Sequence, residues 1–213
     1  MFELINYIRS AYVVMPPSRS FIVSLLSGFH TIKRNLLSVA IAIFLASIHF
    51  SANAAEQSIA IDYLHGEGDL SGLRLAYRPY HGQITQIEWL GEVDLYWELS
   101  VNFWEFGADN QHDTNYAVAL SPVFSAQVAT IADKYPLKWE FGIGVSLIND
   151  TTFAGKDIGS HYQFEDRLGL VLEFGDNLEQ SFAVRYMHYS NGGLNDKNPG
   201  MDFLNLSYAM HFK

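Results

Sequence analysis

The chain contains no cysteine. That removes disulfides, thiolate metal sites and cysteine nucleophiles at once. Proline is sparse, with six in 213 residues, and basic residues are outnumbered, 13 Lys and Arg against 23 Asp and Glu. The imbalance sharpens downstream. Four of the 13 basic residues and one of the 23 acids precede residue 55, which leaves nine against 22 and a net charge of −13. Such a segment lacks the basic footprint that nucleic-acid binding needs. After residue 55 there is also no apolar run with the length of a spanning helix, about 20 residues.

The apolar run that is present lies earlier. Lys33-Arg34 precede an uncharged stretch from Leu36 to Phe50, and Ala52-Asn53-Ala54 supplies small residues in an A-x-A pattern. A basic start, a short apolar middle and a small-residue cut site are the parts of a secretory signal. Cleavage is expected after Ala54. Residues 1–54 are therefore read as an N-terminal extension and signal peptide, and 55–213 as one domain.

Within 55–213 the apolar residues recur with period two, the signature of strands. Eight segments are predicted: Ser58–Leu64, Gly72–Arg78, Glu92–Trp104, Tyr116–Val123, Trp139–Leu147, Tyr162–Phe174, Ser181–Asn191 and Asp202–Phe212. Turn-rich pieces separate them: His65–Ser71, Pro79–Gly82, Gly107–Asn115, Asp133–Pro136, Asn149–Ser160, Gly175–Asn177 and Gly192–Gly200. Short turns alternating with longer loops suit an eight-stranded antiparallel outer-membrane β-barrel, with the longer loops outside the cell. One face of the strands carries charge (Asp94, Glu98, Glu140, Glu165, Arg167, Arg185) and the other is aliphatic and aromatic. Alternation has no sign, however. A lipocalin-like barrel of the periplasm, with its apolar face inside, has the same period. The last strand favours the membrane: Leu204, Leu206, Tyr208, Met210 and Phe212 alternate almost to the chain end.

The chemistry concentrates in Tyr186-Met187-His188-Tyr189-Ser190-Asn191-Gly192-Gly193. Residues i and i+2 of a strand share a face, so His188 and Ser190 are neighbours. Arg185 has the other parity and requires the polar lumen, which turns His188 and Ser190 outward. Asp202 shares the parity of the outward row that begins at Leu204. A hairpin near Asn195-Asp196 brings it back opposite Ser190 and beside His188. A serine needs an adjacent base to become nucleophilic, and the base needs an orienting group. Singly, each residue has a plainer reading: an interfacial histidine, a turn serine, an acid in the headgroup layer. Together, on matched parity, they suit acyl transfer.

His188-Tyr189-Ser190-Asn191, followed by Asn198, Gly200 and Asp202, resembles the C-terminal motif of the lipid A 3-O-deacylases of PagL type, and Leu75-Ala76-Tyr77-Arg78-Pro79 is similar to another part of that family. The resemblance implies an eight-stranded barrel with its active site on the membrane-facing outer surface. It implies Ser190 as nucleophile, His188 as general base and Asp202 as the third member, where the family commonly has Glu. It assigns Asn198 to the oxyanion hole, with main-chain N–H groups near Asn191 and Gly192. It also implies lipid A of lipopolysaccharide as substrate, outer-membrane lipids as surroundings and no metal or other cofactor. A second copy of the chain is a further candidate partner.

The competing classes are a non-enzymatic structural barrel and an outer-membrane phospholipase. The phospholipases share an H-x-S-N arrangement, but on a twelve-stranded, calcium-using barrel that needs a longer chain. The remaining histidines, His65, His81, His112, His161 and His211, are scattered without metal-ligand spacing. A surface grouping of His65, Asp69, His112 and Asp113 reads as solvated loop residues rather than a metal site. Gly142 and Gly144 form a strand pair, since no helix follows them as a nucleotide loop requires.

Overall fold

The computed structural model describes residues 56–107 and 113–212. The signal segment read from the sequence, 1–54, and His112 lie outside the described residues. Ten strands follow in order: β1 (Gln57–Gly66), β2 (Leu70–Ile87), β3 (Gly91–Phe106), β4 (Asp113–Ile131), β5 (Tyr135–Ile148), β6 (Thr152–Phe153), β7 (Lys156–Asp157), β8 (Tyr162–Phe174), β9 (Gln180–Ser190) and β10 (Met201–Phe212). Eight of them close into an antiparallel barrel in the order β1-β10-β9-β8-β5-β4-β3-β2, and β6 and β7 make a separate two-stranded hairpin. Closure leaves the barrel strands no free edge, the requirement for a sheet in hydrocarbon.

The faces of the barrel give the alternation its sign. Outward residues of β1, β9 and β10 are apolar and exposed: Ile59, Ile61, Phe182, Val184, Leu204 and Leu206 among them. The residues between them are buried and largely polar. Asp62, Arg74, Glu98, Glu165, Arg167 and Arg185 are almost completely inaccessible inside the lumen. A soluble barrel would hold the reverse arrangement. This one is built for lipid on its outside.

Charge inside so narrow a barrel is tolerated only because it is paired. Arg74 donates to Asp62 at 2.9 Å, Glu98 at 2.5 Å and Glu165 at 3.3 Å. Glu98 also accepts from Arg78 at 2.8 Å and Arg167 at 2.6 Å, while Arg185 is paired with Glu140. Toward the outer end the lumen turns apolar. Trp104 packs with Phe153, Tyr189 and Phe203, within a cluster that includes Leu64, Met187 and Met201. The Tyr189 hydroxyl, donating to Glu165 at 2.7 Å, joins this plug to the charged layer.

Two segments depart from the sequence reading. Pro79–Gly82 was expected to be a turn, yet β2 runs through it to Ile87. Between Tyr77 and Tyr80 the register with β3 slips. A proline cannot donate to the ladder, and a bulge is where a strand accommodates one. The chain reverses instead after Ile87, where the Leu90 N–H donates to the Ile87 carbonyl. β4 is likewise longer than expected, extending seven strand pairings' worth of sequence beyond Val123 toward Ile131 with a second irregularity between Gln127 and Ala129.

Candidate active site

The site sits at the outer rim of three adjacent strands. β9 pairs with β10 so that His188 faces Asp202, and with β8 so that His188 faces Asp166 and Ser190 faces Phe164. All five share the outward parity. The register corrects one detail of the sequence reading. Asp202 comes back directly opposite His188 rather than opposite Ser190, because the register centres the β9–β10 hairpin on Asn195, one residue earlier than a pairing with Ser190 would.

That register has a chemical consequence. His188 Nδ1 lies 2.6 Å from Asp202 Oδ1. A carboxylate so placed accepts the Nδ1–H, which leaves Nε2 as the basic nitrogen of the neutral ring. The same oxygen accepts from the Tyr186 hydroxyl at 2.5 Å. Tyr186 precedes His188 by two positions, so its side chain rises along the same face and fixes the carboxylate from below. The structure brings His188 and Asp202 into contact, and Ser190 follows two positions along the same face of β9. Ser190 is mostly covered, at 9% exposure, whereas the His188 and Asp202 side chains are half-buried.

The ring is also confined by backbone. Gly200 has φ +71°, and a Cβ there would lie 2.7 Å from His188 Cε1 and 3.4 Å from Nε2. Only glycine lets the chain pass so close to the Nε2 edge of the imidazole. Gly192, φ +63°, is similarly pressed against the Phe164 ring, with a hypothetical Cβ at 2.8 Å.

The loop from Asn191 to Gly200 is held by its own amides and by the neighbouring loop. Asn191 is fully buried. Its Nδ2 donates to the carbonyls of Ile158 at 3.1 Å and Lys197 at 2.7 Å, and its Oδ1 accepts from the Gly193 N–H at 2.9 Å. Its own N–H donates to Asn198 Oδ1 at 2.9 Å. Asn191 was grouped with the oxyanion donors. Its donors are engaged inside the loop, so it serves as a brace. The bond to Asn198 has a second effect: with Oδ1 turned to Asn191, the Asn198 Nδ2 group is the end of that amide left to approach a substrate. The hairpin of β6 and β7 supports the loop from the side. Asn195 Nδ2 donates to Gly159 O at 2.9 Å, and Lys197 Nζ to Asp157 at 2.5 Å. The Lys197 ammonium holds the Asp157 carboxyl below its usual range.

Two members of the site escaped the sequence reading. Tyr186 has the outward parity of a lipid-facing aromatic, and its hydroxyl finds a partner only through the β9–β10 register. Asp166 carries a signal in the sequence: it interrupts an otherwise apolar outward row of Tyr162, Phe164, Leu168 and Leu170. A carboxylate among lipid-facing residues is unfavourable without a partner.

A family profile described as "Lipid A 3-O-deacylase (PagL)" matches residues 71–211. The chain belongs to the PagL family of lipid A 3-O-deacylases. It is 32% identical over 181 residues to the lipid A deacylase PagL of Pseudomonas aeruginosa, which covers 84% of this chain and 98% of that protein. It is 31% identical over 122 residues to the protein of the same name from Bordetella bronchiseptica, covering 57% of this chain and 65% of that one. Among solved structures it resembles the crystal structure of the outer membrane enzyme PagL. The TM-score is 0.54 at 30% identity, over 73% of this chain and 99% of that one. The family match spans the strands that carry Tyr186, His188, Ser190 and Asp202.

Proposed function

We propose that this chain is an outer-membrane esterase that removes the 3-O-linked acyl chain of lipid A, with Ser190 as nucleophile, His188 as base and Asp202 as orienting acid. Family membership supports the reaction and its substrate. The observation that supports the residue roles is the 2.6 Å contact between His188 and Asp202 on the outward face of the barrel, two positions from Ser190.

The reaction then runs as acyl transfer to water. Ser190 Oγ attacks the ester carbonyl while its proton passes to His188 Nε2. The imidazolium formed is stabilised by Asp202 through Nδ1–H. Negative charge on the former carbonyl oxygen is met by Asn198 Nδ2 and the Gly192 N–H. One such donor is worth about 3–4 kcal/mol in the transition state. As the intermediate collapses, the carbon–oxygen bond to the sugar breaks and His188 passes its proton to the departing sugar oxygen, which leaves as a hydroxyl. Water, deprotonated by His188, attacks the acyl-serine, and the fatty acid leaves with Ser190 restored. A site on the outer face lets an acyl chain reach the serine without leaving the hydrocarbon layer.

Cells that make acylated lipid A provide the test. Expression of the intact chain should remove one hydroxyacyl mass from the lipid A population, and the Ser190→Ala chain, folded to the same level, should leave it unchanged. Equal loss with both chains would exclude Ser190 as the nucleophile. Loss with neither would remove the substrate assignment.

A further inference from the structure

At the opposite end of the barrel from Ser190, three residues distant in sequence converge. His81 lies on β2, His211 is the penultimate residue of β10, and Glu56 directly precedes β1. Their potential ligand atoms all fall within 4.8 Å of one another. His81 Nδ1 stands 3.9 Å from one oxygen of Glu56 and His211 Nδ1 stands 3.5 Å from the other. In the sequence the two histidines lack metal-ligand spacing. Their spacing is set by barrel closure instead, since β1 pairs with β10 on one side and β2 on the other.

The other ring nitrogen of each histidine is occupied. His81 Nε2 lies 3.6 Å from Asp94 Oδ2, and His211 Nε2 lies 3.0 Å from Ser181 Oγ. In the tautomer that carries its proton on Nε2, each ring points that N–H toward its outer neighbour and keeps the lone pair on Nδ1. Both Nδ1 lone pairs are then directed toward the Glu56 carboxylate, the arrangement a shared cation requires. A cation between them is coordinated by all three groups, and an outer partner on the far nitrogen is the usual arrangement around a ligating histidine. Neighbouring charge permits it. Lys138 is held by Asp94 at 3.3 Å and Glu173 at 2.8 Å. Arg78 is bonded to Glu98 and lies over the Tyr96 ring at 4.6 Å.

The geometry points to a binding site for one divalent transition-metal ion, of which zinc is the best-suited common case, on His81 Nδ1, His211 Nδ1 and the Glu56 carboxylate. Two imidazoles and a carboxylate are borderline ligands that suit zinc and disfavour calcium or magnesium. Zinc–ligand bonds of about 2.0–2.2 Å require the three groups to close by at most about 1.5 Å from their present separations. Three protein ligands leave a fourth position for water. Because the ligands lie just before β1, on β2 and at the end of β10, a bound ion ties together the region where the first and last strands close the barrel. This role is independent of the deacylase reading.

The test uses the untagged, folded barrel in detergent, since a polyhistidine tag would bind zinc itself. Zinc titration followed by calorimetry should show one ion per chain, and zinc should raise the unfolding temperature. Affinity should fall more than about tenfold in His81→Gln, His211→Gln and Glu56→Gln, with the temperature rise lost. Glu56→Gln changes a residue outside the strands and so keeps the test sound if a histidine variant folds poorly. Lipid A deacylation by each variant reports correct folding and should match the parent. No stoichiometric zinc, or zinc bound equally well by all three folded variants, would overturn the site.

Discussion

Gly200 offers the sharpest test of how the site is built, because its replacement by alanine has two separable effects. The first is on the backbone: φ of +71° costs a residue with a Cβ about 1–2 kcal/mol. The second is local to the base. The new methyl would lie 2.7 Å from His188 Cε1, where ordinary carbon contacts need about 3.5 Å or more. The ring must therefore retreat by nearly an ångström, out of line with Ser190 or with Asp202. A misplacement of about 1 Å costs on the order of 100-fold in rate. Gly155 is the matching control. Its φ is also +71°, but nothing lies within 4 Å of the position its Cβ would take. Gly155→Ala should lose similar stability and keep its rate. Turnover of lipid A in mixed micelles, with unfolding followed by heat-dependent gel mobility, measures both quantities. A Gly200→Ala rate within a few-fold of the parent, or equal rate losses in the two variants, would refute this account of how His188 is positioned.

Other outcomes follow from the same contacts. Asp202→Asn keeps the volume but can present an amide N–H to His188, so kcat should fall by about 10³–10⁴-fold, with Asp202→Glu recovering part of it. Tyr186→Phe removes one donor to Asp202; at about 1 kcal/mol for such a bond, the rate should drop about five-fold with KM little changed. Inside the barrel, Glu98→Gln leaves Arg74, Arg78 and Arg167 short of their shared carboxylate and should destabilise by about 3–5 kcal/mol, read as a lowered unfolding temperature. On the outside, Leu206→Arg near the middle of β10 should cost about 2–4 kcal/mol in membranes and lower the folded yield, whereas Asn195→Ala in the outer loop should not.

The strands and the outward orientation of the site were legible in the sequence because side-chain parity is a local property. Once Arg185 is assigned to the lumen, His188 and Ser190 can face only outward. Which face of the barrel meets lipid was legible only through composition, since period alone carries no sign: the charges on one face and the apolar alternation of the last strand supplied it. Register was also hidden. Asp202 lies opposite His188, and Tyr186 reaches Asp202, through a pairing fixed by the length of the Asn191–Gly200 loop. Asn191 looked like part of the catalytic motif, but its buried amide is consumed in holding that loop. Pro79 looked like a turn because a bulge and a turn use the same residue types. The grouping of Glu56, His81 and His211 could not be read at all: the three are brought together only where the first and last strands meet.

The central claim is that Ser190 carries an acyl group taken from the 3-position of lipid A. Purified barrel in mixed micelles with lipid A of defined acylation, followed by mass spectrometry of lipid and protein, tests it most directly. The account predicts loss of the 3-O-linked hydroxyacyl chain alone, and a transient acyl mass on the peptide containing Ser190 when the reaction is quenched early. Both should be absent in Ser190→Ala. Deacylation by the Ser190→Ala protein, or an acyl adduct on a different residue, would contradict it.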